Sequence, residues 1–403
     1  MRKIILNSIT LRDVTAFILL MFCIQYIPLE SRDSVSYLKL GISLLCPLLF
    51  IVKSPYISRC VQIFVIYYAL VIYAAVSHPD TLRWSTVLFL GTFLITYMTF
   101  YNLVTINNVF TRDFFIKFVR NLLITYMIVL LMQQCLLLVG IKVFPLLNLV
   151  QDLNRGLGAN SLTYEPSSIG VLLPFAFLAL LRMHEIDYGR KLTLKEIFKE
   201  EKWASIAFFY TMIGAVSGTA MVSLAIVCLY FLNSKQRIYT ILIVLILVPV
   251  FLYVDFLPLN RARDSFMAFL TLDSEAVMKA DESASARIIP VINTLTKLDL
   301  TTWEGWFGHG VDYGMSEWIF SDRIMIGGIA DYGFLSFIVM QIAVFTCMIK
   351  RLFSLETALW IVIGMMTLAN VPLNWGAMML CTVSRYLQIE NEKSGRINSN
   401  CQL

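Results

Sequence analysis

Charge is scarce in this chain. Charged residues make up 15% of it, against about 25% in an ordinary soluble domain. Hydrophobic residues reach 58% and the mean hydropathy is +0.75, which excludes a simple water-soluble globule. Ten-residue segments of alternating polarity are missing, which argues against a membrane barrel. The eight cysteines include none between Asp255 and Arg323, so a disulfide-stapled loop there is excluded. No Cys/His set has zinc-site spacing. No small-residue cleavage site follows the first apolar run, which predicts a retained anchor rather than a signal peptide. There is no tandem repeat, no low-complexity tract and no D-x-D in the first outer loop. The net charge of +5 is modest and gives no reason to expect a nucleic-acid partner.

What is present is a succession of apolar runs, many near the roughly 20 residues that cross a bilayer as a helix. They predict spans at 14–29, 37–52, 60–77, 84–102, 121–140, 166–182, 203–217, 220–233, 238–255, 324–349, 356–370 and 373–387. The expected fold class is all-α, a polytopic integral membrane protein of about twelve transmembrane helices in one domain, 1–403. With the N-terminus inside, about two thirds of the 32 Lys and Arg fall in inner segments, as the positive-inside rule asks. This orientation needs a tight hairpin broken at Ser217-Gly218-Thr219. It needs a second break at Asn370-Val371-Pro372, where proline removes a backbone donor. The segment Phe114–Arg120, apolar with basic residues three apart, is expected to lie in the inner interface.

One stretch is polar among these runs. Residues 256–323, between the ninth and tenth expected helices, form a large loop placed outside. Six Lys or Arg lie between Arg261 and Arg323. An amphipathic helix is expected around Arg287, followed by Trp303-Glu304-Gly305-Trp306-Phe307-Gly308-His309-Gly310-Val311-Asp312-Tyr313-Gly314. Glycines among aromatics predict a compact turn with walls suited to sugar rings. Interfacial anchoring by Trp and Tyr accounts for the same residues. A second polar break runs from Arg155 through Gly156 and Gly158 to Glu165-Pro166-Ser167, where a helix start is expected. Its free N–H groups suit an anion, and a plain surface Arg–Glu pair is the alternative. In the first outer loop, Glu30 and Asp33 could hold a divalent ion, but pairing with Arg32 is the simpler account, and no metal site is expected.

Three features in order carry a resemblance: R-x-x-G with E-P-S at 155–167, an Arg-bearing helix closed by G-x-G-x-x-x-G at 287–314, and Ile329-Ala330-Asp331-Tyr332-Gly333-Phe334. Together they resemble the Wzy-type O-antigen and capsular polysaccharide repeat-unit polymerases and the related O-antigen ligases. The resemblance implies a glycosyltransferase of the bacterial inner membrane with its active site facing the periplasm. It would join lipid-linked oligosaccharide repeat units, with an undecaprenyl-diphosphate-linked glycan as donor and another as acceptor. No cofactor is implied, since undecaprenyl diphosphate is a substrate carrier. The bilayer and a chain-length regulator are the implied partners.

Arg155 and Arg287 match the family's arginines for the diphosphate, with Arg261 and Arg263 as further candidates. Glu165 is expected as the catalytic base and His309 as the second choice. Two departures stand out: Ser321-Asp322 where the ligases commonly place a histidine, and Ser217-Gly218-Thr219 where relatives often have Ser-Arg. A ligase and a lipid-linked oligosaccharide flippase are the alternatives. A flippase would not need a long late polar loop.

Overall fold

The computed structural model describes residues 10–27, 36–150, 156–232, 260, 263–264, 267, 270–271, 282–314, 323–364 and 372–400. Most of these are helical. The first five helices are α1 (Leu11–Cys23), α2 (Tyr37–Lys53), α3 (Arg59–Ser77), α4 (Trp84–Thr105) and α5 (Arg112–Leu138). A ribbon of β1 (Val143–Phe144) and β2 (Leu149–Val150) follows, antiparallel with Val143 opposite Val150. It is a small departure from the all-α expectation. Then come α6 (Pro166–Tyr188), α7 (Leu194–Glu200), α8 (Lys202–Gly214) and α9 (Gly218–Cys228). The later helices are α10 (Glu282–Lys297), α11 (Trp303–Phe307), α12 (Ile329–Ala343), α13 (Leu355–Leu359) and α14 (Pro372–Asn400). A π-helical turn continues α12 to Met348.

Local chemistry sets these boundaries. Thr10, Ser36, Ser58 and Thr111 each accept the N–H three residues on, satisfying a donor that the first turn leaves open. Pro166 opens α6, where its missing N–H costs nothing, and Gly189 closes it in the left-handed conformation.

Five helical stretches are long and apolar enough to cross a membrane: α3, α4, α5, α6 and Ile326–Met348. Four more expected runs form α1, α2, α8 and α9, but these hold 13, 17, 13 and 11 residues, short of the roughly 20 a crossing takes. The expected run 238–255 lies outside the described residues, and 373–387 is the first part of α14. Phe114–Arg120 is not a separate interfacial segment. It begins a continuous α5, with Phe115 and Val119 buried and the Phe110 and Phe114 rings 5.7 Å apart. Its apolar side packs against protein, so nothing bends it away from the rest of the helix.

The stretch 202–232 is a hairpin. Its first arm, α8, runs beside α5 in the same direction: Glu201 pairs with Arg120 near the start of α5, and Tyr210 donates to Gln134 near its end. The second arm, α9, lies along α6. Gly170 is so close to it that a Cβ there would sit 2.7 Å from the Ala220 nitrogen, and Ser223 Oγ donates to the Gly170 carbonyl (2.8 Å). Small residues that let backbones meet in this way join helices where lipid offers no hydrophobic force to do so.

Alternation along the chain divides the molecule into two ends. At one, here called upper, α1, α3, α5 and α8 finish and α2, α4, α6, α9, α12 and α14 begin. Tyr126 Oη reaches the Cys23 carbonyl (2.6 Å), and the Gln25 and Tyr26 amides bond to Leu162 O. The other, lower, end carries Arg112–Asp187, Arg120–Glu201, Arg182–Glu356, Arg190–Glu196 and Lys350–Glu392. Between the ends, α6 is the most enclosed of the five long stretches. Fully buried Trp375 on α14 centres an aromatic group with Phe64, Phe93 and Tyr97.

Candidate active site

Two polar clusters occupy the upper end. The first is the loop leading into α6. Asn160 Nδ2 donates to the carbonyls of Asn148 (2.7 Å) and Thr163 (2.6 Å), and Asn148 Nδ2 also donates to Thr163 O (2.7 Å). Gln133 accepts the Ser161 N–H (2.6 Å) and donates to the Ser161 carbonyl (3.0 Å). Gln25 accepts the Tyr164 N–H (2.9 Å). These side chains satisfy loop backbone that has no helix or sheet to do so. Gly156 takes a positive φ of 61° with open space where a Cβ would stand, so it serves a turn and not a close approach.

Glu165 holds the N-cap position of α6 without capping it. Its carboxylate is exposed and accepts from Ser167 Oγ (3.2 Å). Near this loop lies a cation that no sequence motif announced. Lys39 on α2 is buried and donates its ammonium to the carbonyls of Ile24 and Gln25, the latter at 3.2 Å.

The second cluster is the glycine-rich turn after α11. It is clamped onto the start of α12 by main-chain bonds: His309 N–H to Ala330 O (2.9 Å) and Gly310 N–H to Asp331 O (3.2 Å). Gly308 and Gly333 have φ of +88° and +83°, and a Cβ on either would meet backbone of the facing segment at 2.2 Å. Only glycine fits both the dihedral and the gap. Asp331 Oδ1 accepts the Gly314 N–H (2.8 Å), closing the turn from its far side. Asp312 accepts from Thr86 Oγ1 (3.1 Å) and pairs with Arg83 (3.2 Å) at the start of α4.

His309 stacks on Tyr313 with ring centroids 4.5 Å apart, and the Arg323 guanidinium lies 5.0 Å from the same tyrosine ring. Partial burial, helped by His78 and Arg323 and opposed by Glu304, holds His309 below the ordinary imidazole value. It is therefore neutral at pH 7 and able to accept a proton. Beside it stands an aromatic wall. Trp303 stacks on Phe307 (4.1 Å) and donates to Tyr73 Oη (3.2 Å), while Trp306 meets Phe334 edge-on. Both tryptophans are partly exposed.

The structure thus brings the 303–314 turn and the 329–334 motif into direct contact. Among the described residues no hydrogen bond or ion pair joins Glu165 to His309, so the two expected bases stand in separate clusters at one end. Arg155 and Arg261 lie outside the described residues, as do Glu30 and Asp33. Arg287 falls within α10, and its side chain lies outside the described set. That helix is amphipathic as expected, with Ile289 and Ile292 buried. Asn293 Nδ2 on Ile324 O (3.0 Å) ties it to the chain before α12. Arg263 is described, with Asp264 3.6 Å away.

Arg83, Thr86 and His78 are residues that sequence reasoning missed. They sit around the turn between α3 and α4, 226 positions from Asp312 in the case of Thr86, and their spacing carries no sign of that meeting. Among the described residues no three His, Cys, Asp or Glu side chains converge as metal ligands would. Comparison with protein-family models, curated proteins and solved structures finds no match for this chain.

Proposed function

We propose that this chain is a Wzy-type polysaccharide polymerase. It lies in the bacterial inner membrane in twelve spans, with the upper end and the 256–323 loop facing the periplasm. It transfers a growing glycan from undecaprenyl diphosphate to a hydroxyl of another lipid-linked repeat unit. The observation that carries this reading is the clamped turn. A neutral imidazole, two arginines (Arg83 and Arg323) and a tryptophan-bearing wall meet at the end of the bundle opposite the basic ion pairs.

The chemistry asks for these groups. The acceptor oxygen forms a bond to the anomeric carbon while the bond from that carbon to the diphosphate oxygen breaks. The electron pair leaves on the diphosphate, and the acceptor's proton goes to a base. His309 has the charge state and exposure to take that proton. Glu165, exposed at the mouth of the neighbouring cluster, is the other candidate base. Arginine neutralises the diphosphate as charge develops on it. Arg155 and Arg287 fill that role by resemblance, and Arg83 and Arg323 by position. Tryptophan faces suit the C–H faces of pyranose rings.

The test is reconstitution. Purified protein is given a lipid-linked repeat unit in mixed micelles and the products are separated by length. The expected result is a ladder, lost in Arg287→Ala while the protein still inserts. Absence of any ladder from folded wild-type protein with its cognate substrate sinks the polymerase reading. In cells, loss of the gene should leave single repeat units on the surface lipid. No repeat units there would point to a ligase, and units trapped inside to a flippase.

A further inference from the structure

A cavity of about 760 Å3 opens at the lower end, between the last turns of α6, the π-turn after α12, α13 and the middle of α14. It lies near the opposite end of α6 from Glu165, and the proposed transfer chemistry has no use for it. Its lining contains six cations, Arg182, Arg190, Lys191, Lys350, Arg351 and Arg385, against three carboxylates, Glu185, Glu356 and Glu392.

The carboxylates are already engaged. Arg182 is gripped by Glu356 (2.7 and 3.1 Å) and by Glu185 (2.9 Å), and Lys350 by Glu392 (2.7 Å). Arg190 turns to Glu196, outside the lining (2.6 Å). Three cations are left. Lys191 rests against the Tyr230 ring (5.6 Å), Arg385 donates to the Thr346 carbonyl, and Arg351 is exposed. Among the described residues none of the three is paired with a carboxylate.

A concave site of this size with unneutralised Lys and Arg fits a phosphate-bearing anion. The rim indicates its source. Leu352 and Phe353, directly after Arg351, are exposed, Phe353 at 96%. An apolar rim beside a basic hollow suits acyl chains beside a headgroup, as basic pockets between transmembrane helices do.

We infer that this cavity binds the phosphate of an anionic lipid headgroup through Lys191, Arg351 and Arg385. The three cations supply the charge. The salt-bridged Arg182 holds α6 to α13 and so keeps the hollow's shape.

Full-length protein in mixed micelles tests this, with binding read by native mass spectrometry and thermal unfolding measured in parallel. Three additions are compared: phosphatidylcholine, phosphatidylglycerol, and pyrophosphate without lipid. Wild type is expected to retain phosphatidylglycerol in preference to phosphatidylcholine and to unfold at higher temperature with it. The Lys191→Gln/Arg351→Gln double variant should bind it about 30-fold more weakly, roughly fivefold for each cation removed. A control, Lys195→Gln/Lys199→Gln, removes two exposed cations from α7 outside the cavity and should bind as wild type does.

Saturable stabilisation by pyrophosphate alone, lost in the double variant, keeps the phosphate site and assigns its ligand to solution rather than to the bilayer. Equal binding by wild type and double variant overturns the inference, as does an equal loss in the control pair. No preference for phosphatidylglycerol together with no response to pyrophosphate overturns it too. If the double variant fails to fold, Arg351→Gln alone, at an exposed position, carries the comparison.

Discussion

At the scale of single residues, His309 and Glu165 separate by environment. His309 is partly buried among aromatic and cationic neighbours, and its imidazole is held low. A base of that kind works only in its neutral form. Its contribution to kcat/KM should be complete near pH 7 and fall on the acid side of the usual histidine value of about 6.5. A pH–rate profile on the lipid-linked substrate checks this. His309→Gln should remove that acidic limb and lower the rate by about 100-fold or more. Glu165→Gln is expected to slow transfer and leave the limb in place; wild-type rates from both variants would remove both proposed bases. Arg287→Lys should be poor in the same assay, because an ammonium cannot grip two phosphate oxygens in one plane. The turn carrying His309 was readable as a compact turn from its closely spaced glycines, although its aromatics alone fit interfacial anchoring equally well. The Arg83–Asp312 pair was not, since a salt bridge between residues so far apart in the chain leaves no local trace in their order.

At the scale of elements, the starts marked by prolines at 166 and 372 were legible in the chain, whereas the hydroxyl caps at Thr10, Ser36, Ser58 and Thr111 show their role only in the folded helices. The break at Ser217-Gly218-Thr219 was legible too, and it yields the two arms α8 and α9. The continuity of α5 was not: Phe114 and Phe115 meet Phe110 just before the helix, and Phe114 also lies under Arg12 of α1, a contact that residue order does not announce. Two contacts hold these elements in register. Gly170→Leu would force α6 from α9 and should cost at least the roughly 1–3 kcal/mol typical of overpacking, read as a lowered midpoint in detergent unfolding. The other contact is Glu201, which ties α5 to α6 at the lower end. Its burial pushes the carboxyl up, but hydrogen bonds from His184 and Arg120 outweigh this and hold it below the usual range. Its folded value is therefore lower than its unfolded one. The stability it lends is present above the unfolded value and lost as pH falls through the folded one. Glu201→Gln should lower the unfolding midpoint at pH 7, and the gap to wild type should narrow on acidification. A gap that stays constant with pH would show that the charge is not what matters.

For the whole molecule, the prediction concerns geography. Thr301 is exposed beside the upper cluster and Lys195 is exposed at the lower end. With the native cysteines replaced, a thiol at 301 should react with a membrane-impermeant reagent in intact spheroplasts, and one at 195 only after they are opened. The reverse pattern would leave the proposed transferase on the wrong side of the membrane from its substrate. Helical character was legible in composition and in the succession of apolar runs. Which loops share an end followed from the alternation of the runs, but which of them touch depended on packing that no single stretch encodes.

The turn bearing His309 is fastened to its neighbouring helix by two main-chain bonds and by the Asp331 carboxylate on the Gly314 N–H. Side chains that take no part in that seam are therefore free to vary without loosening it. Under the proposed function, exchanging Trp303, Trp306 and Tyr313 for other shapes while the glycines stay fixed would alter the saccharide accepted, changing the upholstery and leaving the frame untouched.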